Sequence, residues 1–464
     1  MKPGRSASLL RRLAAPVDGA SLAAFRIAFG AILLWEIADY QRQGWIARYW
    51  IEPAWHFPYW GFGWVQPWPG VAMYAHFAAL AALAVCIATG LFYRATAALF
   101  CAGFSWIFLI DQARYMNHLY LVCLLSGLMA IVPAHAVCSL DAQRRGPTAS
   151  PWVPAWSLYL LRAQIAIVYV FGSLAKLNPD WLSGAPMRLV LAGAPPLGPL
   201  EPWLATEWAV RFFAFGGIFF DGLVVPALLW RRTRPFALAA SLFFHGTNSW
   251  MFRIGIFPWL MLAATTLFLA PEWPRRLLAR GGARLAPPPV APPSLPPPRW
   301  LLGVLAAYLV VQLALPLRHL LYPGDPSWTE EGHRFAWRMK LHVKQGLRPR
   351  FEVVADGRRM AVDVDAHLAR WQSLRMATRP EMIHVFALHL AERLRAQGHA
   401  RVQVYADVHA SLNGRRPQRL VDPSVDLAAV PRSLAPAAWI APLREPLPPP
   451  ARPPRRPSSG GGEG

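Results

Sequence analysis

The sequence predicts an α-helical multi-pass membrane bundle of about nine transmembrane helices, followed by a C-terminal α+β soluble domain. Three observations carry that prediction. The chain has 464 residues, of which 55% are hydrophobic and only 16% charged, well below the roughly one quarter usual in a soluble domain. Its apolar residues are gathered into runs near the length that crosses a bilayer. Between 323 and 440 the pattern changes to short alternating strands and one helical segment.

Taken in order, the apolar spans cover residues 20–38, 71–92, 94–110, 116–133, 154–177, 208–230, 235–252, 254–270 and 299–321. Arg11-Arg12 precede the first span and no small-residue cleavage signal closes it, so a retained helix is expected. Residues 40–69 are dense in Trp and Tyr, the composition of chain lying at the membrane interface. Residues 286–298 hold eight prolines and read as a stiff polyproline linker. The expected organisation is a transmembrane domain over 1–270, a Pro-rich linker over 271–298 and a ninth helix over 299–322. A soluble α+β domain over 323–440 and a disordered Pro/Gly-rich tail over 441–464 follow.

Within the soluble domain, Phe351, Val353 and Val354 precede Asp356-Gly357, and Met360, Val362 and Val364 follow it, which predicts a hairpin. Residues 379–397 carry helical periodicity. Residues 402–412 are apolar at every second position and lead into Asn413-Gly414, predicting one half-buried strand and a second hairpin turn.

The net charge of +22 raises nucleic acid as a partner. However, 43 of the 47 basic residues are Arg and no basic run is interleaved with aromatics, so the expected partner is the lipid bilayer and not nucleic acid. With the N-terminus cytoplasmic, inside segments carry fifteen basic residues and short outside loops five. That orientation, in a cell (inner) membrane, puts the soluble domain outside the cytoplasm. Cys86, Cys101, Cys123 and Cys138 form neither a disulfide framework nor a metal spacing, and no metal is expected.

Polar residues inside or beside the spans need a reason to be there. Lys176 ends the fifth span and is the only lysine between residues 3 and 339, in a chain that uses arginine elsewhere. A desolvated lysine can lose its proton and act as a base, which arginine cannot; the plainer alternative is a lysine snorkelling at the boundary. His118, after Asn117, is either an acid/base or hydrogen-bonding group or an interfacial helix cap. His245 and Asn248 sit inside the seventh span and either meet a ligand or bond between helices. Arg26, Glu36, Arg162, Gln164 and Asp221 are expected to be structural pairs. In the chosen orientation Asp111, Asn117, His118, Lys176 and Asp180 fall near one face, the side of the soluble domain, which favours a functional Lys176.

The segments YMNHLYL around Asn117-His118, Leu161–Trp181, FFHGTNS around His245–Asn248 and PEWPR (271–275) resemble the vitamin K-dependent γ-glutamyl carboxylases and their bacterial relatives with the same transmembrane domain. The resemblance continues through Trp328-Thr329, Trp337, His342 and Ser411–Asp426, and covers roughly residues 15–440. It departs after His342, with Lys344 where the family pattern leads to arginine, and its cysteines do not reproduce the family's extracellular disulfide. The resemblance implies a catalytic Lys176 with His118, and a quinol held by Asn117, His118, Lys176, His245 and Asn248. It implies a reduced vitamin K or menaquinone-type quinol with O2 and CO2 as co-substrates, and a glutamate-containing peptide or protein as partner. In that chemistry the lysine deprotonates the quinol. Its oxidation towards the epoxide yields a base strong enough to deprotonate the glutamate γ-carbon, which no side chain can do at neutral pH. Two other readings stay open: a quinol-oxidising or epoxidising enzyme with a non-glutamate substrate, and a non-enzymatic transport or assembly protein.

Overall fold

The structure, a computed structural model, describes residues 5–195, 198–252, 254–282, 290–293 and 297–449. Of the sequence-based expectations, the basic positions Lys2, Arg253 and Arg284, parts of the polyproline linker and the tail beyond 449 lie outside these residues.

A short helix α1 (Arg5–Ala14) leads into strand β1 (Pro16–Asp18), which pairs antiparallel with β2 (Trp152–Pro154). The membrane part then runs through α2 (Ala20–Arg42), α3 (Val71–Thr89), α4 (Tyr93–Ile110), α5 (Asn117–Ile131), α6 (Ala155–Ala175), α7 (Glu207–Leu229), α8 (Arg234–Phe252), α9 (Phe257–Thr265) and α10 (Arg299–Leu317). Each of the nine apolar segments is thus helical. Six, namely α2, α3, α4, α6, α7 and the helix from Arg299 to Leu321, are long and apolar enough to cross a bilayer. The segments Asn117–Ile131 and Phe257–Phe268 are shorter apolar helices, and α8, though 19 residues long, carries Arg234, His245, Thr247 and Asn248.

Close helix packing follows from small residues at the contacts. A Cβ on Gly30 of α2 would lie 2.6 Å from the Ala88 nitrogen of α3, so only glycine lets these helices meet. Two of the intramembrane charges, Arg26 and Arg162, are compensated by backbone carbonyls and not by charged partners. The fully buried Arg26 guanidinium donates to the carbonyls of Ile87, Ala88, Ala134 and Cys138, and Arg162 donates to those of Leu267 and Leu269.

In the soluble part, β3 (Lys344–Gly346), β4 (Arg350–Ala355), β5 (Arg358–Ala361), α11 (Arg370–Met376), α12 (Pro380–Ala396), β6 (Val402–Asp407), β7 (His409–Leu412) and β8 (Gln418–Arg419) follow in order. They form two three-stranded antiparallel sheets, β5-β4-β6 and β3-β7-β8. The hairpin at Asp356-Gly357 has both residues at positive φ, 49° and 84°, as a type I′ turn requires. The single strand expected over 402–412 is corrected: it breaks at the buried Val408, and β6 and β7 belong to different sheets. The aromatic segment 40–69 is only partly interfacial. Trp60, Trp64 and Trp68 are exposed, whereas Trp50 packs into the membrane core and Phe57 into that of the soluble domain.

The two parts are joined by buried polar contacts. Asp180, just beyond α6, accepts two hydrogen bonds from Arg415 (2.6 and 2.8 Å) and one from Asn413 (2.6 Å). Asp111, at the end of α4, accepts from Gln372 of α11 (2.9 Å) and faces His56 (3.2 Å). Trp337 is buried and stacks on Tyr120 of α5 at 5.2 Å. The ends of α4, α5 and α6 that carry Asp111, Asn117 and Lys176 therefore abut the soluble domain.

Candidate functional site

Helix α6 ends at Lys176 because Asn178-Pro179 follows. The residue before proline is pushed out of the helical region, and the Asn178 side chain accepts from the Trp181 N–H (3.0 Å) to start the next turn. This places the Lys176 side chain inside the bundle, 7% exposed. Its Nζ donates to its own Gly172 carbonyl (3.0 Å) and to Asp221 Oδ2 (2.5 Å) on α7. Glycines make that approach possible. A Cβ on Gly172 would lie 3.2 Å from Asp221 Oδ2, and one on Gly222 would lie 3.1 Å from Ser173 Oγ. Lys176 Nζ also lies 5.7 Å from the centre of the Trp181 ring, whose Nε1 is fixed by the Ala214 carbonyl. Lys176, expected from sequence to be desolvated, is buried, and Asp221, expected to be a paired intramembrane charge, is its carboxylate partner.

The pair opens onto a cavity of about 280 Å³ between α6, α7, α8 and the segment preceding β3. Phenylalanines dominate the wall, among them Phe213, Phe220, Phe244 and Phe257. His245 and Asn248, one helical turn apart on α8, line the same cavity. Tyr169 Oη of α6 sits 2.8 Å from His245 Nε2, while His245 Nδ1 is buried and has no partner among the described residues. Phe212 and Phe243 line the cavity too, yet are 51% and 60% exposed on the outer surface of the bundle. The cavity wall is thus continuous with the surface that faces lipid.

Asn117 and His118 do not line this cavity. Asn117 accepts from Tyr115 Oη (2.9 Å) and donates to the Arg338 carbonyl (3.4 Å), tying α5 to the segment before β3. The His118 ring stands 6.5 Å from Phe257, on the other side of the cavity wall. Of the five site residues expected, the structure gathers Lys176, His245 and Asn248 and leaves the other two adjacent.

Sequence reasoning missed Asp221, Tyr169 and Lys340 as site residues. Met339 and Lys340 reach the cavity from a segment in which Glu330, Phe335, Trp337 and Lys340 all have φ between 52° and 61°, a strained backbone for side chains other than glycine. Burial, reinforced by the positive charge of Arg375, pushes the Lys340 amine below its ordinary range. The signal for Lys340 was present: lysine in a chain that prefers arginine. The same holds for Lys344, which burial pushes down to about 8. It donates to the Trp328 carbonyl (2.5 Å) and lies 3.9 Å from Glu330. Around Asp180 the electrostatics run the other way. Burial opposes its charge, but the hydrogen bonds from Arg415 and Asn413 outweigh it and hold the carboxyl below its usual range.

A multi-pass helical membrane protein with an acid–base pair in an apolar cavity is the class this geometry defines. The family model described as the HTTM domain matches residues 14–273, and the chain belongs to that family. Residues 297–446 match the model of the vitamin K-dependent gamma-carboxylase lumenal domain. Together the two matches identify a vitamin K-dependent γ-carboxylase-like membrane protein, the family its motifs resemble. No solved structure matches the chain.

Proposed function

We propose that this protein is a membrane peptidyl-glutamate γ-carboxylase, coupling oxidation of a reduced vitamin K-type quinol by O2 to addition of CO2 at glutamate. The observation that carries the reading is the buried Lys176–Asp221 pair on the wall of an apolar cavity. The residues present fit the quinol: aromatic walls suit a flat ring, and the unpartnered His245 Nδ1 needs a polar atom to meet. When bound, the quinol supplies through its oxidation the strong base that removes the glutamate γ-proton, after which the carbanion takes CO2.

The chain's own residues have four tasks. Lys176, with Asp221, takes the proton that starts the reaction. His245, its Nε2 engaged by Tyr169, and Asn248 orient the ring. The phenylalanines exclude water, which would quench a carbanion. His118 and Asn117, beyond Phe257, are assigned to hold the reacting group on the side of the soluble domain, where the glutamyl peptide docks. The N-terminus is placed in the cytoplasm and the soluble domain outside a cell membrane.

The test is fixation of radiolabelled CO2 into a glutamyl peptide, in membranes supplied with reduced menaquinone. The parent is expected to fix label and form quinone epoxide, and Lys176→Ala to do neither while still expressed. Epoxide without labelled peptide would move the assignment to a quinol-oxidising enzyme with another substrate. Equal fixation by Lys176→Ala and parent would remove the pair from the chemistry, and a tolerated Lys176→Arg would leave it a structural anchor.

A further inference from the structure

We propose that Lys340 is a further substrate-binding residue: its ammonium group, at the mouth of the cavity, holds the γ-carboxylate of the glutamate that is to be carboxylated. This rests on the carboxylase reading above and adds to it a residue that selects a carboxylate over an uncharged side chain. Among the described residues two lysines line the cavity, Lys176 and Lys340. Lys176 is engaged by Asp221. Lys340 has no carboxylate within ion-pair distance among the described residues, and its Nζ rests 5.4 Å from the centre of the Phe252 ring. Its side chain lines the cavity on one side and is open to solvent on the other, so a peptide on the soluble domain can reach it.

The fold holds Lys340 in this place. Its φ of 52° is a conformation that persists only where the surroundings impose it. Asn117 Nδ2 donates to the Arg338 carbonyl (3.4 Å) and Trp337 stacks on Tyr120. These contacts pin the residues just before Lys340 against α5, the helix that carries His118. Positive charge gathers around the same point. Arg114 and Lys340 both lie close enough for their charges to act on His118, and Arg375 of α11 is close enough to act on Lys340. Arg114 stacks over Tyr49 at 3.7 Å, and its Nε and Nη2 are buried with no hydrogen-bond partner among the described residues. Glu36 is the acid that faces Arg114; none faces Lys340 or Arg375. An anion arriving at Lys340 relieves its repulsion from Arg375, and the opposite charge favours the ammonium form.

The chemistry needs a cation at that point. When the γ-C–H bond of glutamate breaks, the proton goes to the base formed by quinol oxidation. The electron pair spreads from the γ-carbon into the neighbouring carboxylate, whose charge rises from one towards two. The new C–C bond to CO2 then leaves two carboxylates on one carbon. Charge therefore accumulates on the carboxylate oxygens at the edge of an apolar cavity, where a cation already in position stabilises it most. Lys340 moves no proton in this sequence. It binds the carboxylate and meets the charge that develops on it.

The experiment measures binding of two fluorescent peptides to the full-length protein in lipid nanodiscs, without oxygen, by anisotropy. The peptides have capped ends, no other acid, and differ only in one residue, glutamate or glutamine. The parent is expected to bind the glutamyl peptide about tenfold or more tightly than the glutaminyl one, the scale of one charge-assisted hydrogen bond. Lys340→Met is expected to bring that ratio below about twofold, and Lys340→Arg to keep most of it. With reduced menaquinone and oxygen supplied, Lys340→Met is also expected to lower kcat for CO2 fixation about a hundredfold, beyond its rise in KM, the scale of a lost oxyanion contact. A ratio in Lys340→Met equal to that of the parent, or one lost equally in Lys340→Arg, overturns the inference. Should Lys340→Met not fold, judged by its melting temperature, Lys340→Gln is read on the same ratio. A parent that fixes CO2 but shows no preference between the peptides sinks this inference alone. A parent that binds menaquinone yet fixes no CO2 sinks the carboxylase reading on which it rests.

Discussion

Two buried acid–base pairs sit within a few residues of each other at the end of α6, and they differ in what surrounds them. Asp180 meets Arg415 through two hydrogen bonds and Asn413 through a third, and lies against the soluble domain. Lys176 meets Asp221 through one short contact, on the wall of a cavity. Both pairs compensate charges that burial would otherwise penalise. In the first, three donors saturate the carboxylate. In the second, lone pairs and protons remain available to a ligand. Among buried ion pairs, those left partly unsatisfied beside empty volume are the ones to read as chemistry.

The sharpest way to break this comparison is to remove one member of each pair. Lys176→Ala is expected to lower quinol-dependent fixation by about 10²–10⁴-fold, the range of a lost general base, with thermal unfolding of the soluble domain unchanged. Arg415→Ala should do the reverse. It strands the Asp180 carboxylate and is expected to cost about 3–5 kcal/mol in docking of the soluble domain, read as a lower melting temperature and faster proteolysis. An Arg415→Ala protein as stable as its parent would mean that the contact holds nothing.

Acid offers a gentler probe of the same difference. Because Asp180 has a depressed carboxyl pKa in the folded protein, its stabilising contribution is complete above the unfolded value of about 3.9. It is lost as the pH falls through the lower, folded value. Docking measured by proteolysis should therefore hold above about pH 4 and weaken below it, with Arg415→Ala losing that acid-dependent component. The smallest effect is expected at the ring-orienting groups. Tyr169→Phe removes one hydrogen bond to His245 and should weaken menaquinone binding about two- to tenfold, measured by fluorescence quenching. No change would leave His245 oriented by packing alone.

The helices, the two hairpins and the position of Lys176 were legible because each is written in local pattern: apolar runs, Asp356-Gly357, Asn413-Gly414, an isolated lysine before Asn178-Pro179. The break at Val408 was not legible, since alternation of apolar residues continues unbroken while the chain changes sheets. Nor was the partner of Lys176. Asp221 is 45 residues away on another helix, and only the packing permitted by Gly172 and Gly222 sets the two side by side. Asp111 and Asp180 were rightly placed near one face, yet their partners, Gln372, Asn413 and Arg415, come from the soluble domain. One-dimensional reading locates a buried charge. It does not show which neighbour answers it.

The outward-facing Phe212 and Phe243 have a consequence for kinetics. A site fed sideways from the hydrocarbon phase responds to the mole fraction of its hydrophobic substrate among lipids, not to the amount per litre. Surface dilution follows: diluting a fixed quantity of menaquinone into more phospholipid should raise the apparent KM in bulk units and leave it constant per lipid.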